Sequence, residues 1–213
     1  MSFAYRGKVA MVAGASSGIG RAVALDLAAR GTTVAVVARR ASLLEEVAEQ
    51  CRKTAPASVA VVADLSERKG SADAVAEVRD RCGPVDILVN SVGTFMQVHA
   101  SRLTTEQVEE ALTLNYLVAV RAILAVLPSM LERRAGELVN VGSVAGRVGS
   151  PREAAYAGSK FALTGFSESL AADLSGSGVR VHLVHPAVVD TPMWDDLGET
   201  TSWPWKSRTP EEV

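Results

Sequence analysis

Tyr156 and Lys160 stand four residues apart in Tyr156-Ala-Gly-Ser-Lys160, so a helix carries both side chains on one face, within mutual reach. A phenol ordinarily keeps its proton up to a pH of about 10. An ammonium about 5 Å away, at an effective dielectric of about 20, is worth roughly 3 kcal/mol, or about 2 pKa units, in favour of the phenolate. That brings the phenol toward neutrality, where it serves as a general acid or base. A lone helical tyrosine is more often a core residue. Here Ser143, thirteen residues upstream at the end of a strand-like run, joins the pair. The next positions on the Tyr156 face are Leu163, Leu170 and Leu174, so the pair sits where an apolar stripe opens into a cleft.

A second group could bind phosphate. Gly14-Ala-Ser16-Ser17-Gly18-Ile19-Gly20 joins an apolar run to a helical one. Glycine permits a tight turn and close approach of backbone to a ligand, and the free N–H groups of the following helix suit a pyrophosphate. The second apolar run ends at Ala38 and is followed by Arg39 and Arg40. A dinucleotide site needs an acidic residue at that edge to take the 2′-hydroxyl of NAD, whereas guanidinium groups suit the 2′-phosphate of NADP. The expected cofactor is therefore NADP(H), and a nicotinamide cation would push the Tyr156 phenol further toward ionisation. Two solvated arginines at a helix start are the plain alternative, which the helix dipole disfavours. Asp64, with Leu65, follows the third run and either accepts from an adenine amino group or caps the next helix. Asn90-Ser-Val-Gly93 follows the fourth and either holds the strand end against the cofactor or makes a simple turn.

Asn115 lies mid-helix with Ala111, Val118 and Ala122 as its i−4, i+3 and i+7 neighbours, which turns it toward the core. A buried amide needs partners. It either bonds structurally or kinks the helix and binds a water leading to Lys160.

These residues are positioned by alternating elements. Apolar runs at 8–13, 33–38, 58–63, 85–90, 137–142 and 179–184 predict six strands. Helices are expected from Ser17/Gly18 to near Gly31, from Ser66 to near Gly83, from Thr104/Thr105 toward Gly136 with Pro128 kinking or ending it, and from about Arg152 to Leu174. Alternation with strands apolar throughout predicts an α/β fold, a doubly wound parallel sheet with helices on both faces. Gly14, Arg39, Asp64, Asn90, Ser143 and Pro186 each fall at the C-terminal end of a different strand, the edge where open α/β sheets bind ligands.

Composition narrows the classes. The 213 residues suit one domain spanning 1–213. Lys plus Arg number 22 and Asp plus Glu 24, a balance that weighs against a nucleic-acid binder. No uninterrupted apolar run reaches about 18 residues and the N-terminus lacks a signal core, so no membrane span is expected. Cys51 and Cys82 form no CxxC pair, which implies a reducing compartment, taken as cytoplasmic, and no metal site. His182 and His185 read as structural.

Taken together, the sequence resembles the short-chain dehydrogenases/reductases, in the branch with the GxxxGxG turn, over about residues 5 to 193. Gly14, Gly18, Gly20, Asn90, Asn115, Ser143, Tyr156 and Lys160 follow that family's order and approximate spacing. The resemblance implies a Rossmann fold and NAD(P)-dependent hydride transfer between a carbonyl and a secondary alcohol, on a small-molecule substrate. By it, Ser143 positions the substrate oxygen and Tyr156 transfers the proton. Lys160 lowers the tyrosine pKa and binds the nicotinamide ribose, and Asn115 holds a relay water. Arg39 matches the NADP-preferring pattern. Pro186, Val189 and Thr191 match the segment that contacts the carboxamide. The sequence departs from the pattern at Ala13 (usually Thr), at Ser91-Val92 within the Asn90 motif, and at Ala187 (usually Gly).

The tail, 190–213, reads as a substrate-lid loop followed by the start of a C-terminal helix; Trp194, Trp203 and Trp205 all fall there. An irregular strap packed on the core is the alternative. The family's last helix and strand are expected to be missing, leaving the sixth strand as a sheet edge and the expected homo-oligomer in question. Two rival functions are weighed. A catalytically silent NADP(H)-binding sensor or scaffold of the same fold is opposed by the intact Ser143, Tyr156 and Lys160. A nucleotide-sugar epimerase or dehydratase would carry GxxGxxG and a larger C-terminal domain.

Overall fold

The computed structural model describes residues 4–193 and 207–213. Its centre is a six-stranded sheet of β1 (Val9–Ala13), β2 (Thr33–Ala38), β3 (Val59–Val62), β4 (Ile87–Asn90), β5 (Gly136–Val141) and β6 (Val179–Val184). The spatial order is β3-β2-β1-β4-β5-β6, and every pairing is parallel. Order reverses between β1 and β4, the topological switch point of a doubly wound fold. The strands start and end within about two residues of their expected bounds.

Strands apolar on both faces build two cores. Val9, Met11 and Ala13 of β1, with Ala35 and Val37 of β2, face a layer made by α3 (Gly70–Cys82), α5 (Val118–Arg133) and α6 (Ala154–Asp173). Ala10 and Val12, with Val34 and Val36, face α1 (Gly18–Ala29) and α2 (Ala41–Arg52). The helical run Thr105–Arg133 is long and apolar enough to match a bilayer span by composition. Val118, Ala122, Ile123, Val126 and Met130 use that apolarity in the sheet-facing core.

Three expectations shift. First, α3 begins at Gly70 rather than after Ser66, because the Asp64 carboxylate accepts from both the N–H and the hydroxyl of Ser66, at 2.9 and 2.6 Å, and holds a turn there. Second, Pro128 sits inside α5 without ending it. The irregularity falls upstream, where a π-helical turn over Thr113–Leu117 separates α4 (Thr105–Leu112) from α5. Third, a single 3₁₀ turn at Pro210–Glu212 stands where a C-terminal helix was expected to start. Arg208 forms a parallel bridge with Val189, its N–H donating to the Val188 carbonyl at 2.9 Å while Asp190 N–H donates to the Arg208 carbonyl at 2.7 Å. Among the described residues β6 ends its side of the sheet. The three tryptophans, and with them most of the lid expectation, lie outside the described residues.

Candidate active site

The C-terminal ends of the strands open into one cleft of about 730 Å³. Its walls include Gly14, Ser16, Ser17, Gly18 and Ile19 after β1, Arg39 and Arg40 after β2, and Asp64 and Leu65 after β3. Gly93 follows β4, Ser143 follows β5, Tyr156 and Lys160 come from α6, and Pro186, Val189 and Thr191 follow β6. Of the residues singled out in the sequence, Gly20, Asn90 and Asn115 lie behind this wall.

The turn after β1 needs its glycines. Gly14 has a φ of 82°, and a Cβ there would stand 2.8 Å from the backbone of Ser91 and Val92, so β1 and β4 could not end so close together at the switch point. Gly20, buried in α1, packs directly on the Gly14 carbonyl. Ser17 precedes α1 in extended conformation and its hydroxyl caps no helical N–H. Instead, one guanidinium nitrogen of Arg40 donates to both the Ser16 and Ser17 hydroxyls at 2.9 Å. The α1 N-terminus carries no acidic side chain in its first turn and keeps N–H groups for an anion.

Arg39 reaches across to Asp64, 4.0 Å away, with two-thirds of its side chain exposed. The Asp64 carboxyl is held below its usual range, chiefly by the Ser66 hydroxyl and then by the Ser66 N–H, with a smaller contribution from Arg39. Asn90 turns away from the cleft. Its amide donates to Asn140 at 2.8 Å, Asn140 to Ser167 at 2.9 Å, and Ser167 to the Leu163 carbonyl at 2.7 Å. This buried polar chain ties β4 and β5 to α6, so Asn90 fixes the strand end from behind.

The reactive-looking groups sit at the other end. Lys160, 5% exposed, donates to the Val141 carbonyl at 3.1 Å, and its ammonium lies 5.9 Å from the centre of the Tyr156 ring. Burial pushes its pKa down to about 8. Burial pushes the Tyr156 phenol up; a hydrogen bond from Ser143 works in the opposite sense, and Glu153 adds to the rise. The direction is thus the reverse of what the ammonium alone would give. The Ala145 N–H donates to the Ser143 oxygen at 3.1 Å, which leaves the hydroxyl proton for the phenol. The edge of the Phe95 ring packs against Tyr156 with centroids 4.8 Å apart.

Asn115 occupies the π turn and is 1% exposed. Its carbonyl oxygen accepts from Thr94 N–H at 2.8 Å and its amide donates to Ser159 at 3.0 Å. Ser159 in turn donates to the Tyr156 carbonyl at 2.7 Å. Protein partners thus occupy both ends of this amide. A Cβ on Gly93 would stand 2.8 Å from the Asn115 oxygen and 3.6 Å from the Lys160 nitrogen, so the loop after β4 rests directly on this pair.

Sequence reasoning did not assign Phe95, Ser159 or His185 to the site. His185 Nδ1 lies 2.8 Å from the Ser143 carbonyl, bracing the end of β5. The available signal was position: Ser159 neighbours Lys160 inside a helix.

A dinucleotide fits this cleft. The glycine turn is a cradle that a Cβ would fill, the α1 N-terminus faces it, and two cationic side chains flank its far end. The short chain dehydrogenase family pattern matches residues 8–202. An uncharacterized oxidoreductase of Staphylococcus epidermidis is 35% identical over 194 residues, 90% of this chain and 83% of its own length. A protein of Pseudocercospora fijiensis named as a short chain dehydrogenase is 36% identical over 204 residues, 92% of this chain and 65% of its own. The 3-oxoacyl-[acyl-carrier-protein] reductase of Vibrio harveyi is 33% identical over 193 residues, 91% and 78% of the two chains. The chain belongs to the short-chain dehydrogenase family. It is an oxidoreductase of that family, served by a nicotinamide nucleotide and acting on small molecules.

Proposed function

We propose that the protein is an NADP(H)-dependent oxidoreductase that interconverts a carbonyl and a secondary alcohol, with Tyr156 as the proton-transferring group. The observation that carries this reading is the convergence of Ser143, Tyr156 and Lys160 at the sheet edge that also bears the glycine turn. When bound, the nicotinamide gives or takes the hydride. Ser143 holds the substrate oxygen beside the phenol. In the direction of reduction, the Tyr156 O–H bond breaks and its proton joins that oxygen, leaving a phenolate. Lys160 stabilises the phenolate and holds the nicotinamide ribose. Asn115 acts through its partners, fixing the Thr94 backbone and, via Ser159, the turn of α6 that bears Tyr156.

Arg39 and Arg40 support NADP over NAD. Asp64 steadies Arg39 and two serine hydroxyls steady Arg40, and no carboxylate immediately follows β2 to take a ribose hydroxyl. Gly14, Ser16, Ser17, Gly18 and Ile19 would hold the pyrophosphate. Leu65 and Asp64 would flank the adenine, and Pro186, Val189 and Thr191 the carboxamide end. The experiment is NADPH oxidation across a panel of ketones and acyl thioesters, beside titration of NADPH and NADH. The reading expects tighter NADPH binding and turnover of at least one carbonyl class. Tight NADPH binding with no reduction of any carbonyl would make the protein a sensor instead.

A further inference from the structure

Glu153 is the one acidic side chain at the Tyr156 end of the cleft, among the described residues, and the chemistry above leaves it without a task. It precedes α6, lines the cleft and is only 4% exposed. Burying a carboxylate is costly unless cations or several donors meet it. Among the described residues Glu153 enters no ion pair, and its one side-chain hydrogen bond comes from the neutral amide of Gln97, at 3.1 Å. Lys160 donates to Val141, Arg147 pairs with Glu168 at 2.9 Å, and Arg152 is exposed. The backbone takes on strain to keep this arrangement. Arg152 has a φ of 69°, a left-handed conformation that side-chain-bearing residues seldom adopt, and it separates exposed Pro151 from buried Glu153. The Val98 N–H donates to the Arg152 carbonyl at 2.7 Å, which fixes the loop after β4 against the same corner.

Glu153 immediately precedes α6, three residues before Tyr156, and both side chains line the same end of the cleft. A group held by the carboxylate therefore lies a few bonds from a carbonyl held by the phenol. The surrounding wall is apolar, with Phe95, Val144 and Val148. Glu153 also raises the Tyr156 pKa, so a positive charge placed on it would relieve that effect. We infer that Glu153 is a specificity-determining residue that selects carbonyl substrates carrying a hydrogen-bond donor, an ammonium above all, next to the reacting carbon. This rests on the oxidoreductase reading and narrows its substrate class.

The test compares kcat/KM for acetophenone with that for its α-hydroxy and α-ammonio derivatives, in the wild type, Glu153→Gln, Glu153→Leu and Gln97→Leu. Both Glu153 variants should lower kcat/KM for the α-ammonio ketone about 10- to 100-fold, the worth of a charge-assisted hydrogen bond, while acetophenone changes less than about threefold. Gln97→Leu should leave the selectivity ratio in place. In parallel, calorimetry on the NADP(H)-loaded protein should find 2-phenylethylammonium bound and phenylacetate not, with Glu153→Gln abolishing the difference. Equal losses with all three ketones, or the same uniform loss in Gln97→Leu, would make Glu153 a clamp for the loop and overturn the inference. So would indifference to ligand charge in the calorimetry, even with acetophenone turned over, and the oxidoreductase reading would then stand. Selective ammonium binding without reduction of any ketone would sink the oxidoreductase reading alone.

Discussion

Tyr156 and Lys160 are both pushed toward their neutral forms by burial, the phenol upward and the ammonium down to about 8. At neutral pH the phenol therefore holds its proton and can donate it, while most of the lysine is charged and can stabilise what remains. Types and spacing were enough to find this pair and Ser143 in the sequence. The direction of the phenol's shift was not legible, because it depends on how completely Phe95 and the α6 environment exclude water. The burial of Glu153 was not legible for a related reason: nothing in its local sequence says that a glutamate will be buried there. At the nucleotide end, Arg39 and Arg40 were read from the lack of an acidic residue after β2. Replacing both by alanine should weaken NADPH binding at least about 10-fold and leave NADH nearly unchanged, because only the former has a 2′-phosphate for charge-assisted bonds. Parallel titrations check this; equal weakening of both nucleotides would remove the assigned preference.

At the scale of elements, the glycine turn and the π turn do the positioning. The first was legible as GxxxGxG between a strand and a helix. The second was legible as a polar residue facing the core that either bonds structurally or kinks the helix, but not as a π turn, because Thr113–Leu117 has the composition of an ordinary helix and the partners of Asn115, Thr94 and Ser159, lie far off in sequence. The same limit applies to α3, whose start moved because of one carboxylate–serine turn, and to Pro128, which the long helix accommodates. Replacing Asn115 by leucine would leave the Thr94 N–H and the Ser159 hydroxyl short of a partner in a buried place. Such a loss costs about 1–3 kcal/mol per group, and in a domain of this size should lower Tm by roughly 5–10 °C. Thermal unfolding measures it. A Tm within about 1 °C of wild type would mean that the amide carries no structural weight.

The whole molecule is a parallel sheet whose strand ends share one edge, and that much followed from alternating apolar runs. Burial of Lys160 couples the site to global stability. Between about pH 8 and its ordinary value of 10.5, the unfolded chain holds this proton and the folded chain does not. Stability should therefore rise with pH through that window, and the burial cost, roughly 3 kcal/mol, is fully present below about pH 8. Lys160→Met removes this titration. Its stability relative to the wild type, measured by denaturant unfolding without cofactor, should fall by up to about 3 kcal/mol between pH 7 and pH 10. A difference independent of pH would mean that the lysine is not desolvated.

The central claim is proton transfer by the Tyr156 phenol at the sheet edge. Single-turnover hydride transfer from NADPH to a reducible ketone, in Tyr156→Phe and wild type with nucleotide affinity measured on the same samples, tests it most directly. The account predicts NADPH affinity within about threefold of wild type and a transfer rate lower by about 10²–10⁴. A variant that binds NADPH normally and transfers hydride at the wild-type rate would contradict it.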